Sequence, residues 1–172
     1  MTPAAAAVRV ATPADVPAVL DLGRRTVVAH YTPVLGAEAA AAQLRTWWTE
    51  ERLRSAAGSG GLLVVDSVPR PTAEGRVSAM AETGRVDGDV VVWKLYVEPG
   101  SRGHGLGSAL LRAVAGRVPA GTPRLLLEHF AGNTRAAAFY EREGFRVVRV
   151  DADPDGRPEA DVVWRARDLT AH

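Results

Sequence analysis

Cysteine is absent from the 172-residue sequence, which excludes disulfides, thiolate nucleophiles and Cys-ligated metals. Lysine is nearly absent: of the 21 basic residues, Lys94 alone is not arginine. An excess of charge of one sign is missing too. The net charge is +1 at pH 7, so no strong field recruits nucleic acid or an anionic membrane surface. No uninterrupted apolar run approaches ~18 residues, so no membrane-spanning helix is expected. The opening stretch MTPAAAAVRVATPADVP has no charged n-region and no sufficient apolar h-region, so no secretory signal is expected and the expected location is cytoplasmic. What is present is an ordinary globular balance, 47% apolar and 24% charged residues, at a length that suits one domain over 1–172 with a real core.

No internal repeat or long linker interrupts the chain. A short strand is expected over Val8 to Ala11, then a capping-type entry, Thr12-Pro13-Ala14-Asp15, to a helix near Asp15 to Ala29 with Val16, Val19, Leu20 and Leu22 on its apolar side. The loop HYTPVLG leads to a second helix around Ala37 to Ala56. Strands are expected at Leu62 to Ser67, Arg76 to Thr83 and Asp89 to Val97, separated by VPRPTAEG and by a turn through Gly84 to Gly88. Leu106, Leu110 and Val114 then recur at helical spacing. Arg124 to His129 is another strand, Asn133 caps a helix to Glu143, and Gly144 ends it. Two last strands, Phe145 to Val150 and Asp161 to Arg167, flank DADPDGRPEA; His172 is expected to be frayed. The expected architecture is α+β: a mixed, mostly antiparallel sheet of about seven strands flanked by about four helices.

A strand that feeds a glycine turn and then a helix is suited to an anion, because free backbone N–H groups point outward and the helix dipole favours negative charge there. In the stretch EPGSRGHGLGSALL, two phosphate-binding patterns fail. Gly100 and Gly105 have P-loop spacing, but Leu106-Gly107 stands where Lys-Ser/Thr should follow. Gly103-His104-Gly105 begins a dinucleotide fingerprint, but Ser108 takes the place of its third glycine.

A third pattern fits. Arg102-Gly103-His104-Gly105-Leu106-Gly107, after a strand ending LYVEP, resembles the pyrophosphate loop R-x-x-G-x-G/A of the GNAT superfamily of acyl-CoA-dependent N-acetyltransferases. About 30 residues on, NTRAAAFYEREGF from Asn133 to Phe145 resembles the family's N-x-x-A-x-x-x-Y-x-x-x-G-F segment. The resemblance implies the GNAT fold and transfer of an acetyl group from acetyl-CoA, with no metal, to a primary amine of a small molecule or protein. It implies that Arg102, Gly103, His104, Gly105, Leu106, Gly107 and Ser108 hold the pyrophosphate, and that Leu95, Tyr96 and Val97 offer main-chain groups to pantetheine and to the thioester carbonyl. Asn133 would reach the pantetheine arm as well as cap its helix. Tyr140 would protonate the departing thiolate, since a phenol of pKa ~10 is protonated at neutral pH.

One element departs from the family pattern. Many members carry a carboxylate early in the strand before the loop, and this sequence has Val90-Val91-Val92 there. Glu82, Glu128, His129 and a water chain are the candidates for the base. Period-two alternation places Glu128 and His129 on opposite faces of their strand, and His129 is preferred. By analogy the acceptor pocket involves His30, Tyr31, Thr32, Pro33, Trp93 and the 151–160 hairpin, while Trp47 and Trp48 read as core and surface aromatics rather than a cage. Asp151 to Gly156 imitates the start of an EF-hand loop, but Val162 replaces its bidentate Glu and Pro154 interrupts it, leaving a hairpin turn with solvated carboxylates. The other reading is a non-catalytic acyl-CoA-binding or regulatory module of the same fold. A homodimer through the last strands is compatible with the pattern.

Overall fold

The computed structural model describes residues 7–67 and 76–169; the expected connector 68–75 and His172 lie outside them. Seven strands form one sheet in the order β1-β2-β3-β4-β5-β7-β6. They are β1 (Val8–Val10), β2 (Leu62–Asp66), β3 (Val77–Val86), β4 (Asp89–Val97), β5 (Arg124–Phe130), β6 (Arg146–Asp151) and β7 (Val162–Asp168). All neighbours pair antiparallel except β4 and β5, which are parallel. Five α-helices accompany it: α1 (Val16–Leu35), α2 (Ala37–Trp47), α3 (Glu50–Gly58), α4 (Leu106–Ala115) and α5 (Thr134–Arg142). Among the described residues no helix is long and apolar enough to cross a membrane.

The strand sequences explain why both faces are covered. In β2, Leu62, Leu63, Val64 and Val65 are all buried, the near-continuous apolar run of a strand packed on two sides. Leu63 and Val65 join Val92, Leu110, Leu111, Leu127, Tyr140 and Phe145 in a core beneath α4 and α5. Leu62 and Val64 join Val16, Val19, Leu22, Leu53 and Met80 in a second core beneath α1 and α3.

Two expectations in the first third of the chain are corrected. The segment HYTPVLG is not a loop: α1 continues to Leu35, with Pro33 in its last turns, and the chain reverses at Gly36, whose φ is +84°. Leu35 is buried, and that packing outweighs the single hydrogen bond Pro33 cannot donate. The helix expected over Ala37 to Ala56 is two helices. Trp48 leaves helical geometry and buries its indole against Gly23, where a Cβ would lie 2.3 Å from the ring. Thr49 then caps α3, its Oγ1 accepting from the Arg52 N–H at 3.3 Å. The β3–β4 turn is also tighter than expected. Asp87 and Gly88, with φ of 49° and 90°, form a two-residue connection of type I′ character.

The feature that creates a site is in the middle of the sheet. Glu82 faces Lys94 while Thr83 faces Val92, so Trp93 is an extra residue in β4. Such a bulge bends its strand. Pairing of β4 with β5 covers only Val90–Val92 against Leu125–Leu127. Beyond it the two parallel strands part, and the β5-facing edge of β4 is left without a strand partner.

Candidate active site

The glycine turn stands at the mouth of this split. Gly103 and Gly105 have φ of 80° and 75°, the left-handed region that glycine enters without a steric penalty. A Cβ at either would have no neighbour within 4 Å, so their surfaces are open. Gly105 is the N-cap of α4 and brings no side-chain cap, which leaves the first N–H groups of the helix for an anion. Gly107 also serves packing: its Cβ would lie 2.9 Å from the Phe139 ring.

A cavity of about 410 Å³ opens here. Of the residues that the resemblance assigns to the cofactor, Leu95, Tyr96, Val97, Arg102, Gly103, Gly105, Leu106, Gly107, Ser108 and Asn133 line it. His104 does not; it is exposed, with Nδ1 3.3 Å from the Ser101 carbonyl. Arg102 is turned inward to donate from Nε to the Val97 carbonyl at 3.1 Å, and Ser108 donates to Glu143. Arg135, Arg142, Phe139 and Glu143 also line the cavity and were not expected. Their signal was the helical register itself, since α5 and its C-cap Glu143 carry them beside Asn133 and Tyr140.

Asn133 caps its helix as expected, and its amide nitrogen meets His30. Its Oδ1 accepts from the Ala136 N–H at 3.2 Å, capping α5, and its Nδ2 donates to His30 Nε2 at 3.0 Å. His30 must therefore be neutral with its proton on Nδ1, and burial, helped by Arg102 and Arg135, holds its pKa below the usual value. Tyr31 lies next to it, accepting from the Tyr96 hydroxyl at 2.9 Å. His30, Tyr31 and Trp93 all line the cavity, although His30 and Tyr31 come from a helix rather than a loop.

Tyr140 is buried among Phe139, Phe145 and His129, with ring centroids 5.3, 6.0 and 5.9 Å away. Its hydroxyl makes no hydrogen bond within the described residues, and burial, with Tyr31 nearby, raises its pKa above the ordinary phenol value. A group so placed stays protonated and can donate.

The three side chains that could accept a proton sit in different states. Glu82 is buried and ion-paired with Lys94, itself over the Trp48 ring at 5.9 Å, and does not line the cavity beside the glycine turn. His129 has both nitrogens engaged. Its Nε2 accepts from Arg165 Nε at 2.9 Å, so Nδ1 carries the proton and donates to the Phe130 carbonyl at 2.9 Å. Burial lowers its pKa. Glu128 is half-buried, and its carboxylate has no hydrogen-bond or ion-pair partner among the described residues. Burial, reinforced by Asp151, raises its pKa above the ordinary carboxylate range.

Alternation does not separate Glu128 from His129. Both line the first cavity, because the cleft passes between the parted strands and so reaches both faces of β5. It continues into a second cavity of about 340 Å³ lined by Tyr31, Gln43, Trp47, Trp48, Arg52, Trp93, Lys94, Tyr96, Glu128, His129, Phe130 and Val162. Trp48 is buried in the second core and Trp47 is exposed, as the sequence reading has them, and both also line this cavity. No residue of 151–160 lines either cavity. That segment closes on itself, with the Asp153 carboxylate held by Arg157 at 3.1 Å rather than solvated.

The fold is shared with known proteins. No curated protein sequence matches the chain. The PaiA N-acetyltransferase of Thermoplasma acidophilum, solved in complex with coenzyme A, superposes with a TM-score of 0.74 at 17% identity, over 92% of this chain and 96% of that one. The ribosomal-protein-S18-alanine N-acetyltransferase of Escherichia coli gives 0.68 at 22% identity over 96% and 95%. Arabidopsis thaliana NAA60, solved with acetyl-CoA, gives 0.68 at 17% identity over 96% and 99%. At these identities the superpositions establish the fold. The sequence itself matches the family model described as "Acetyltransferase (GNAT) domain" over residues 59–147, and the chain belongs to the GNAT acetyltransferase family.

Proposed function

We propose that this protein is a single-domain, metal-independent N-acetyltransferase that moves the acetyl group of acetyl-CoA directly to a primary amine within a ternary complex. The observation that carries the reading is the open, positive-φ surface of Gly103 and Gly105 at the N-terminus of α4, facing the same cavity as the free edge of β4 and Tyr140. In this reading the turn's N–H groups take the pyrophosphate, and Arg102, Arg135 and Arg142 supply positive charge around it. Pantetheine lies along β4 at Leu95 to Val97 as an added strand would. The occupied Val97 carbonyl leaves N–H groups of that edge as the donors for the developing oxyanion. Coenzyme A and acetyl-CoA are bound by the similar proteins of T. acidophilum and A. thaliana, which supports the same cosubstrate here.

The acceptor arrives as an ammonium ion. We assign its deprotonation to Glu128 rather than to His129, whose lone pair is already used by Arg165. The amine nitrogen bonds to the thioester carbon, the C–S bond breaks, and Tyr140 gives its proton to the sulfur. Of the three ammonium protons, one stays on the amide nitrogen. One restores Tyr140, and the other leaves through Glu128 to solvent. The unpartnered Glu128 is what favours turnover over a purely acyl-CoA-binding module. The location that suits an acetyl-CoA consumer without a membrane helix is the cytoplasm. Self-association through the sheet edge is part of the proposal, because β6 exposes Val147, Val148 and Val150 to solvent at 50, 48 and 52%.

Calorimetric titration with acetyl-CoA, with ATP and NAD as controls, tests the cosubstrate. Saturable binding of acetyl-CoA alone is expected. Failure to bind it would return the glycine turn to a structural role.

A further inference from the structure

The chain has 4 Trp, 3 Tyr and 3 Phe, and six of them line the second cavity: Tyr31, Trp47, Trp48, Trp93, Tyr96 and Phe130. Trp48, with Tyr31 and Tyr96 packed beside it, belongs to the second core, but Trp47 and Trp93 are 44 and 37% exposed, so the cluster also presents aromatic surface that no core uses. The rings stand edge to face. Tyr31 and Phe130 have centroids 5.4 Å apart at 89°, and Trp48 and Tyr96 4.9 Å apart at 77°. Such walls accept another flat ring and present π-faces to a cation.

The charges in this cavity limit what else the ligand carries. Glu128, shared with the first cavity, is the only carboxylate that lines it, and it lacks a partner where the two cavities meet. Lys94 is neutralised by Glu82. Arg52 is exposed, stacks over Trp47 at 4.8 Å, and has no ion pair among the described residues. One ammonium is therefore matched by Glu128, and a second would find Arg52 and no carboxylate.

Resting on the transferase reading above, we propose that the acceptor is a small arylalkyl amine with a single positive charge, its ring held by the Trp47–Trp48–Trp93 wall and its ammonium at Glu128. Diamines, polyamines and lysine-rich peptides are excluded by the Arg52 side of the pocket.

The test uses the purified full chain. Acetyl-CoA binding is measured first by calorimetry, and acetyl transfer is then followed by release of the CoA thiol with 2-phenylethylamine, hexylamine, 1,4-diaminobutane and a lysine-containing peptide. The expected order places 2-phenylethylamine roughly tenfold or more above hexylamine in kcat/KM, the discrimination that aromatic packing gives, with the diamine and the peptide lowest. Saturable quenching of tryptophan fluorescence by 2-phenylethylamine is expected as well. Arg52→Glu, an exposed substitution, should raise turnover of 1,4-diaminobutane relative to 2-phenylethylamine, and Trp47→Ala should raise the KM for 2-phenylethylamine with acetyl-CoA binding intact. Preference for the diamine, the peptide or hexylamine in a protein that binds acetyl-CoA overturns this inference alone. So does acetyl-CoA binding with neither turnover nor quenching by 2-phenylethylamine. Absence of acetyl-CoA binding overturns the transferase reading and this inference with it.

Discussion

Arg165 donates from Nε to Nε2 of His129 at 2.9 Å, and this one hydrogen bond decides which side chain of β5 is free to take a proton. Arg165 is itself held by the Phe145 carbonyl and by Glu141 at 3.4 and 3.2 Å. The imidazole is therefore part of a buried polar network, and the neighbouring Glu128 is left as the group with unused lone pairs.

The pH profile follows from that assignment. A base works only when unprotonated, so kcat/KM should fall as pH drops through the Glu128 pKa. Burial raises that pKa above its ordinary 4.5, so the fall should begin at a higher pH than for a solvent-exposed glutamate. Glu128→Gln should remove this limb and cost roughly 10²-fold in rate. His129→Gln should keep the limb. A limb unchanged in Glu128→Gln would refute the assignment.

Tyr140→Phe removes the proposed proton donor and leaves the ring that packs between Phe139 and Phe145. The expected result is a loss of roughly 10²-fold or more in kcat, with acetyl-CoA affinity and the melting temperature near those of the parent. An equal drop in affinity would point to a packing role instead.

Gly107 and Phe139 can be separated from the phosphate site by a paired substitution. Gly107→Ala drives a Cβ to 2.9 Å from the ring, and overpacking of this kind costs about 1–3 kcal/mol. Adding Phe139→Leu should recover part of that loss, as thermal or denaturant unfolding of the four proteins in the cycle would show. Gly105→Ala has no ring to collide with, and its penalty should come from the left-handed backbone, about 1–2 kcal/mol. No change of Phe139 should relieve it.

The buried Lys94–Glu82 pair gives a further expectation. Lys94→Met leaves the Glu82 carboxylate buried without its partner, which costs about 3–5 kcal/mol, whereas Lys94→Met with Glu82→Leu should restore much of the stability. Equilibrium denaturation measures both. Equal losses in the single and double variants would mean that the pair contributes little beyond shape.

Much of the donor half was legible in the sequence because its signals are local. A glycine in the left-handed region, an Asn cap and a Tyr seven residues later are recognisable without knowing what faces them. Of the proposed acceptor half, His30, Tyr31 and Trp93 were named, but Trp47, Trp48 and Arg52 were not, since Trp48 reaches the second cavity through the break before Thr49. Thr49 followed by Glu50 and Glu51 is a cap signal that the alanine-rich stretch before it masks. Period-two reasoning about Glu128 and His129 failed for a different reason. It presumes an unbroken sheet, and the bulge at Trp93 opens the sheet at that point.

Gly36 reverses the chain between two helices, and the residues carried by that hairpin and by α3, including Tyr31, Trp47, Trp48 and Arg52, precede the 59–147 stretch that the family model matches. In the proposed reading, part of the surface that meets the amine is thus written apart from the stretch that meets the nucleotide, while Trp93 and Glu128 belong to that stretch. Under selection, recognition could be re-tuned in the first third of the chain while the inherited donor apparatus stays fixed. The same division offers an engineer a place to exchange acceptors, by replacing residues 16–58 and leaving the glycine turn untouched.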